Sequence, residues 1–198
     1  MTELIQMTAA MVERFRAGFD RAVAAGVPEP TAMTLATLSG AGHPSARTVL
    51  LKDMDAEGFV FYTNLESRKG KQLTANPEVA LVFWWRELAE QVVIEGSAEG
   101  VSDAEADAYF ATRPRGSQIG AWASKQSDEL ASREELLQRV AHFEQKFSGQ
   151  DVPRPQHWSG YRVRPRRVEF WYGRESRLHD RVCFDLADGD WREFLLYP

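Results

Sequence analysis

TAMTLATLSGAGHPSARTVLLKDMDAEGFVFYTN, residues 31–64, is the stretch whose reading decides the fold class. TAMTLATL is aliphatic and β-branched, SGAGHP has turn chemistry, SARTVLLKD is extended again, DAEG turns, and GFVFYTN closes the set. Three antiparallel strands follow from this pattern, the start of a meander.

Upstream, Leu4, Met7, Met11, Phe15, Phe19 and Val23 recur at three- and four-residue steps, which predicts an amphipathic helix over residues 3–25, closed by Gly26 and Pro28. Downstream, ESRKGKQLTAN predicts a short helix capped by Ser67, and Pro77 restarts extended structure through EVALVFWW and AEQVVIEGSAEG. Two capping boxes, Ser102 with Glu105 and Ser132 with Glu135, open helical runs. Between them RPRGSQIGAWASKQSDEL is too interrupted by Gly and Ser for one clean helix. After the loop GQDVPRPQHW, the segments YRVRP, RRVEFWYGR, RVCFDLA and WREFLLY read as strands, the last two joined by the turn ADGD.

Seven to nine antiparallel strands with helices at two points, and no βαβ alternation, predict a mainly β fold with flanking helices (α+β). A closed or partly closed barrel fits better than a Rossmann layout. The expected organisation is a single domain over residues 1–198: an N-terminal helix to residue 27, then a barrel from residue 31 with a helical insertion at about 102–147.

Composition excludes several function classes. With 24 Lys+Arg against 29 Asp+Glu the net charge is −5, which disfavours bulk nucleic-acid binding. No apolar run approaches the roughly 20 residues of a membrane span, and MTELIQMTAAMVERF lacks the basic start and apolar core of a signal peptide. The expectation is a cytoplasmic protein without a membrane partner. Cys183 is the single cysteine, so disulfide frameworks and thiolate clusters within one chain are excluded, and its place in VCF reads as core packing. No metal site is expected.

The basic residues fall in short groups: Arg47 with Lys52, SRKGK (67–71), RPR (113–115), RVRPRR (162–167) and RLHDR (177–181). SRKGK is the most suggestive, because Ser67 would open a helix whose free N–H groups and dipole favour a phosphate, with Arg68 and Lys69 adding charge. An offset of five puts Arg47 and Lys52 on opposite faces of an unbroken strand, so they meet one pocket only if the strand twists or bulges. RVRPRR reads as a solvated face, and the aromatic clusters at 83–85 and 170–172 read as core. If RLHDR is extended, Arg177, His179 and Arg181 share one face.

Taken together, RTVLLK, FYTNLESRKGKQ, RPRGSQIGAWASKQS and VEFWYGRESRLHDR resemble the pyridoxine 5′-phosphate oxidase family, in this order and without obvious gaps from Thr31 to the end. The last motif matches the family's long signature of Glu–aromatic–Trp, a spacer, then Arg–aliphatic–His–Asp–Arg. The resemblance implies an FMN-binding split β-barrel and a homodimer with active sites at the subunit interface. It also implies oxidation of pyridoxine or pyridoxamine 5′-phosphate to pyridoxal 5′-phosphate, with dioxygen reduced to hydrogen peroxide. By resemblance Arg47, Arg68 and Lys69 hold FMN, its phosphate above all. Val49, Leu50, Tyr62 and Thr63 fall in flavin-contact stretches that reach Lys52, and Gln91, Gln126, Ser127, Trp171 and Arg181 match further FMN contacts, some supplied across the dimer. Lys52, Tyr109, Arg113 and Ser117 match the substrate-phosphate set, and Arg177 with His179 the pair that meets the substrate ring.

Three departures from the family pattern bear on turnover. Many members carry a basic arm with Arg and Tyr ahead of the first long helix, whereas this chain starts almost at that helix, so a site without that lid is expected. Tyr172 replaces the usual Gln, His or Gly, and Leu195 stands where the family often ends in Arg–Leu–x–Pro. Two alternatives stand beside the oxidase: a related flavin oxidase of the phenazine-pathway type, and a non-catalytic protein that binds FMN or pyridoxal phosphate.

Overall fold

The structure, a computed structural model, describes residues 5–198. Helix α1 (Ala9–Ala24) starts later than the periodicity predicts, because Thr8 caps it by accepting from the Met11 N–H. The stripe that packs is Met11, Phe15, Gly18 and Ala22; Val23, one position further round, is 54% exposed, and Leu4 lies outside the described residues. Phe15 is the anchor of that stripe, with its ring edge-on to Phe59 at 5.0 Å and to Phe83 at 5.2 Å.

Among the described residues there are nine strands in one antiparallel sheet: β1 (Ala32–Leu38), β2 (Pro44–Leu50), β3 (Asp53–Asp55), β4 (Gly58–Asn64), β5 (Glu78–Trp85), β6 (Glu90–Gly100), β7 (Trp158–Tyr172), β8 (Asp180–Ala187) and β9 (Asp190–Leu196). Helix α2 (Arg68–Ala75) joins β4 to β5, and α3 (Asp103–Thr112), α4 (Arg115–Ala123) and α5 (Arg133–Lys146) lie between β6 and β7. The spatial order β2-β1-β5-β6-β7-β4-β3, with β8 and β9 leaving the path at β7, curls the sheet into a half-barrel around the core. No helix among the described residues is long and apolar enough to cross a membrane.

Strand β7 is the spine, and here the structure corrects the sequence reading. The segments YRVRP and RRVEFWYGR form one strand of 15 residues, carried past Pro165 by a bulge opposite Glu95 and Gly96. The extra residue reverses the phase: Tyr161, Val163 and Pro165 point inward before it, Val168 and Phe170 after it. A Cβ on Gly96 would run into the Arg164 carbonyl, so the bulge needs glycine there. One edge of β7 pairs with β6 over residues 161–172, while the other is shared, β4 taking residues 158–163 and β8 residues 167–172. This sharing splits the barrel.

RVRPRR is not merely solvated. Arg162 pairs with Asp55 and Glu105, Arg164 with Glu57 and Glu99, Arg166 with Glu78, and Arg167 with Asp185. The aromatic clusters divide: Phe83, Trp85 and Phe170 are core, whereas Trp84 is half exposed and Trp171 and Tyr172 are partly exposed. Cys183 is fully buried, and burial, then Glu169, pushes its thiol up to about 11, so it stays protonated and inert at neutral pH.

The caps stand where the sequence puts them. Ser102 and Ser132 accept from the Glu105 and Glu135 N–H groups, and buried Ser67 accepts from Gly70 while donating to the Asn64 carbonyl. Ser67→Ala is expected to lower the unfolding free energy by about 1–2 kcal/mol, since both bonds go in a site closed to water. A urea midpoint that does not move would show that the cap is dispensable.

Candidate active site

A cavity of about 470 Å³ lies between the barrel and the helical insertion. Val49, Leu50 and Lys52 reach it from the end of β2, Tyr62 and Thr63 from β4, and Lys69 from α2. Arg113 and Ser117 come to it from the helical insertion, Gln126 from the segment after α4, and Trp158 from the start of β7. Lys52 gets there because β2 ends: Leu51 N–H still bonds Thr31 at the β1 side, but Lys52 N–H donates to the Val60 carbonyl of β4. The chain changes partner strand between Arg47 and Lys52, which separates them. Arg47 does not line the cavity; its guanidinium lies against Thr37, Ser45 and Gln72.

The cations here differ in kind from those of β7. Arg47 donates to the Leu35 carbonyl at 3.0 Å, Thr37 Oγ1 at 2.7 Å, Ser45 Oγ at 2.7 Å and Gln72 Oε1 at 3.2 Å, all neutral acceptors. Lys69 Nζ donates to Thr63 Oγ1 at 3.0 Å, Gln126 Oε1 at 3.2 Å and Ser67 Oγ at 3.4 Å, again neutral. Burial, then the neighbouring charge, lowers both pKa values: Arg68 acts on Arg47, and Arg47 on Lys69. Among the described residues none of Arg47, Lys52, Lys69 and Arg113 is paired with a carboxylate. Arg47 and Lys69, like charges held half-buried near the N-terminus of α2, cost free energy that a bound dianion would return.

The aromatic wall is equally ordered. Tyr62 stacks on Tyr109 at 4.1 Å and on Trp158 at 5.3 Å, the latter with planes 5° apart. Gly160 faces Tyr62 across the β4–β7 ladder, and a Cβ there would come within 2.7 Å of the ring. Burial first, then nearby Glu105, pushes the Tyr62 phenol up to about 12, so it serves as a neutral face and hydroxyl.

A second cluster gathers at the far end of β7. Gln91, Trp171 and Arg181 are directly opposite one another across β6, β7 and β8, hence on one face. Glu169 holds Arg181 with two bonds of 2.7 and 2.9 Å. RLHDR is extended only at Asp180 and Arg181, where β8 begins, which corrects the shared-face reading. The ladder stops at Tyr172 opposite Asp180, and Gly173 N–H turns to the Ala89 carbonyl, so residues 173–179 must double back. Ser176 and Arg177 take left-handed φ values of 56° and 61°. Arg177 is exposed, and His179 returns over Trp171 at 4.4 Å, its Nδ1 accepting from the Arg174 N–H at 3.1 Å. Trp158 and Trp171 lie near opposite ends of β7, separated by on the order of 40 Å of strand at about 3.3 Å per residue.

Comparison with known proteins agrees with this geometry. The family model described as pyridoxamine 5′-phosphate oxidase matches residues 19–147, and the pyridoxine 5′-phosphate oxidase C-terminal dimerisation region matches residues 158–198. The chain belongs to the pyridoxamine 5′-phosphate oxidase family. A pyridoxine/pyridoxamine 5′-phosphate oxidase of Myxococcus xanthus (strain DK1622) is 60% identical over 94% of this chain and 91% of its own. One of Rubrobacter xylanophilus is 56% identical over 94% and 86%. Among solved structures, PhzG from Burkholderia lata 383, in complex with tetrahydrophenazine-1-carboxylic acid, is 33% identical with a TM-score of 0.89, covering 98% of this chain and 93% of that one. A pyridoxamine 5′-phosphate oxidase-related, FMN binding protein from Nostoc punctiforme PCC 73102 shares the fold, with a TM-score of 0.74 at 15% identity over 93% and 97%.

Within the pyridoxamine 5′-phosphate oxidase fold, the residues expected from sequence divide into two sets. Val49, Leu50, Lys52, Tyr62, Thr63, Lys69, Arg113, Ser117 and Gln126 share the cavity, and Tyr109 stacks behind it. Gln91, Trp171, Arg177, His179 and Arg181 occupy the far end of the same chain, while Arg68 and Ser127 are exposed near the cavity's rim elements. Sequence reasoning missed Trp158, placed in a loop, and Glu169 and Gln72, which hold Arg181 and Arg47. Glu169 stands inside the quoted signature, so its place beside Trp171 was the available signal; Trp158 had none beyond being aromatic.

Proposed function

We infer that the chain is an FMN-dependent oxidase that converts pyridoxine or pyridoxamine 5′-phosphate to pyridoxal 5′-phosphate, with dioxygen reduced to hydrogen peroxide. The observation that carries this is the set of half-buried cations without carboxylate partners, Arg47, Lys69 and Arg113, in a family whose named members act on a phosphorylated substrate. FMN and substrate each bring a phosphate, so two dianions meet two groups of cations.

The donor set fits FMN. Arg47, Arg68 and Lys69 would hold its phosphate beside the α2 N-terminus, with Val49, Leu50, Tyr62 and Thr63 along the ring system. Bound FMN would supply the acceptor for hydride from the substrate and the route for electrons to dioxygen. Lys52, Arg113 and Ser117 bind the substrate phosphate and orient the ring; the apolar faces of Tyr62 and Trp158 keep water from it. Gln91 and Arg181 offer N–H donors fixed in place, Arg181 by Glu169, where negative charge develops.

The two sets are too far apart along β7 to meet one ligand in a single chain. A homodimer that sets the far cluster of one subunit against the cavity of the other completes the site, and the match to a dimerisation region over residues 158–198 supports it. Cytoplasmic location is part of the same reading. Gathering of Lys52, Arg113 and Ser117 favours a phosphorylated substrate over a phenazine-type ring.

The test is an anaerobic titration of the purified, FMN-loaded protein with pyridoxine 5′-phosphate, its mass in solution measured in parallel. Bleaching of the flavin band in a dimer is the expected result. An unchanged spectrum with ligand bound indicates a carrier, and a monomer that takes up no FMN overturns the reading.

A further inference from the structure

Three arginines near the two clusters are held in three ways. Arg181 is clamped by the Glu169 carboxylate and Arg47 by neutral oxygens. Arg113 is held by ring faces: its guanidinium carbon lies 4.6 Å from the Trp158 centroid and 5.4 Å from that of Phe110. Among the described residues its Nη1 is buried with no hydrogen-bond partner.

The difference matters for anion binding. A carboxylate orients a guanidinium but neutralises it and consumes its donors, whereas an indole face orients it and leaves charge and N–H groups free. Trp158 is itself fixed. Tyr62 lies parallel to it at 5.3 Å, Phe110 meets it edge-on at 5.0 Å, and its backbone pairs with Asn64 on β4. The platform therefore stands on the spine strand.

We propose that Trp158 is a positioning residue that acts through Arg113, its indole face presenting the guanidinium to the cavity as an uncompensated cation for the phosphate of the ligand. This rests on the cavity being the site of a phosphorylated substrate. Arg113 contacts the phosphate; Trp158 sets where and with what charge it does so.

The experiment uses FMN-loaded protein and three variants, Trp158→Leu, Trp158→Phe and Arg113→Ala, with the double variant Trp158→Leu/Arg113→Ala. In Trp158→Leu the KM for pyridoxine 5′-phosphate is expected to rise about threefold to thirtyfold, the range from a solvated to a desolvated cation over an aromatic face. The fall in kcat should be smaller than that rise, and Trp158→Phe should recover most of it. Inorganic phosphate, titrated by calorimetry, should weaken by a similar factor, and in the Arg113→Ala background Trp158→Leu should add nothing.

Additive effects in the double variant, or equal loss of phosphate affinity in Trp158→Phe and Trp158→Leu, would overturn the proposal. If Trp158→Leu does not fold, Trp158→Phe against Trp158→Phe/Arg113→Ala gives the same cycle with a smaller signal. Phosphate coupling without turnover of pyridoxine 5′-phosphate would leave the proposal standing and remove the oxidase reading instead.

Discussion

In Arg177→Ala and in His179→Ala, kcat/KM falls about tenfold to a thousandfold, on the order of 1.4–4 kcal/mol of transition-state stabilisation, while FMN stays bound. The loop that carries them explains why the loss is catalytic. Ser176 and Arg177 both sit in the left-handed region, a conformation that costs free energy for residues with a Cβ. His179 secures the loop, taking the Arg174 N–H on Nδ1 and lying over Trp171, which leaves its Nε2 edge for the substrate ring. Arg177 is exposed in the single chain, so its removal should change stability by no more than about half a kcal/mol. Arg181→Ala should show the opposite weighting, with flavin affinity falling first. Steady-state kinetics on the FMN-loaded variants decide the matter: normal turnover in both Arg177→Ala and His179→Ala returns the loop to ordinary surface.

In Lys69→Ala, FMN binds about 10- to 150-fold more weakly, a loss of 1.5–3 kcal/mol, and riboflavin binding changes little. The ammonium touches only the neutral oxygens of Thr63, Ser67 and Gln126, so its removal orphans no carboxylate. Burial and the Arg47 charge already disfavour the protonated amine, and with no carboxylate among its partners the fold loses no ion pair when it goes. What remains is the charge-assisted bond to a phosphate. Quenching titrations of the apoprotein with FMN and with riboflavin separate the two contributions; equal losses would place Lys69 away from the phosphate.

The extent of strand β5, the caps at Ser67, Ser102 and Ser132, and the burial of Cys183 were legible in the residues themselves, whereas the outward phase of Trp84 within β5 was not. Each is decided within a few positions: alternation sets which face is inward, and a serine hydroxyl reaches an N–H three residues on. The family motifs likewise marked the cavity residues from Val49 to Gln126, because a motif records residue types in order. Three things were decided only by the tertiary structure. Which arginines are neutralised depends on carboxylates far along the chain, Asp55 and Glu105 for Arg162, and none among the described residues for Arg113. The path of RLHDR depends on where the β7–β8 ladder ends: Gly173 bonds Ala89 just beyond β6 and β7, and the chain turns through residues 174–179 before β8 starts at Asp180. And the separation of the two residue sets depends on β7 running on through the bulge at Pro165, which leaves the two clusters at opposite ends of one strand. Local sequence determines what a residue can do; long-range pairing determines which charge it meets and which way it faces.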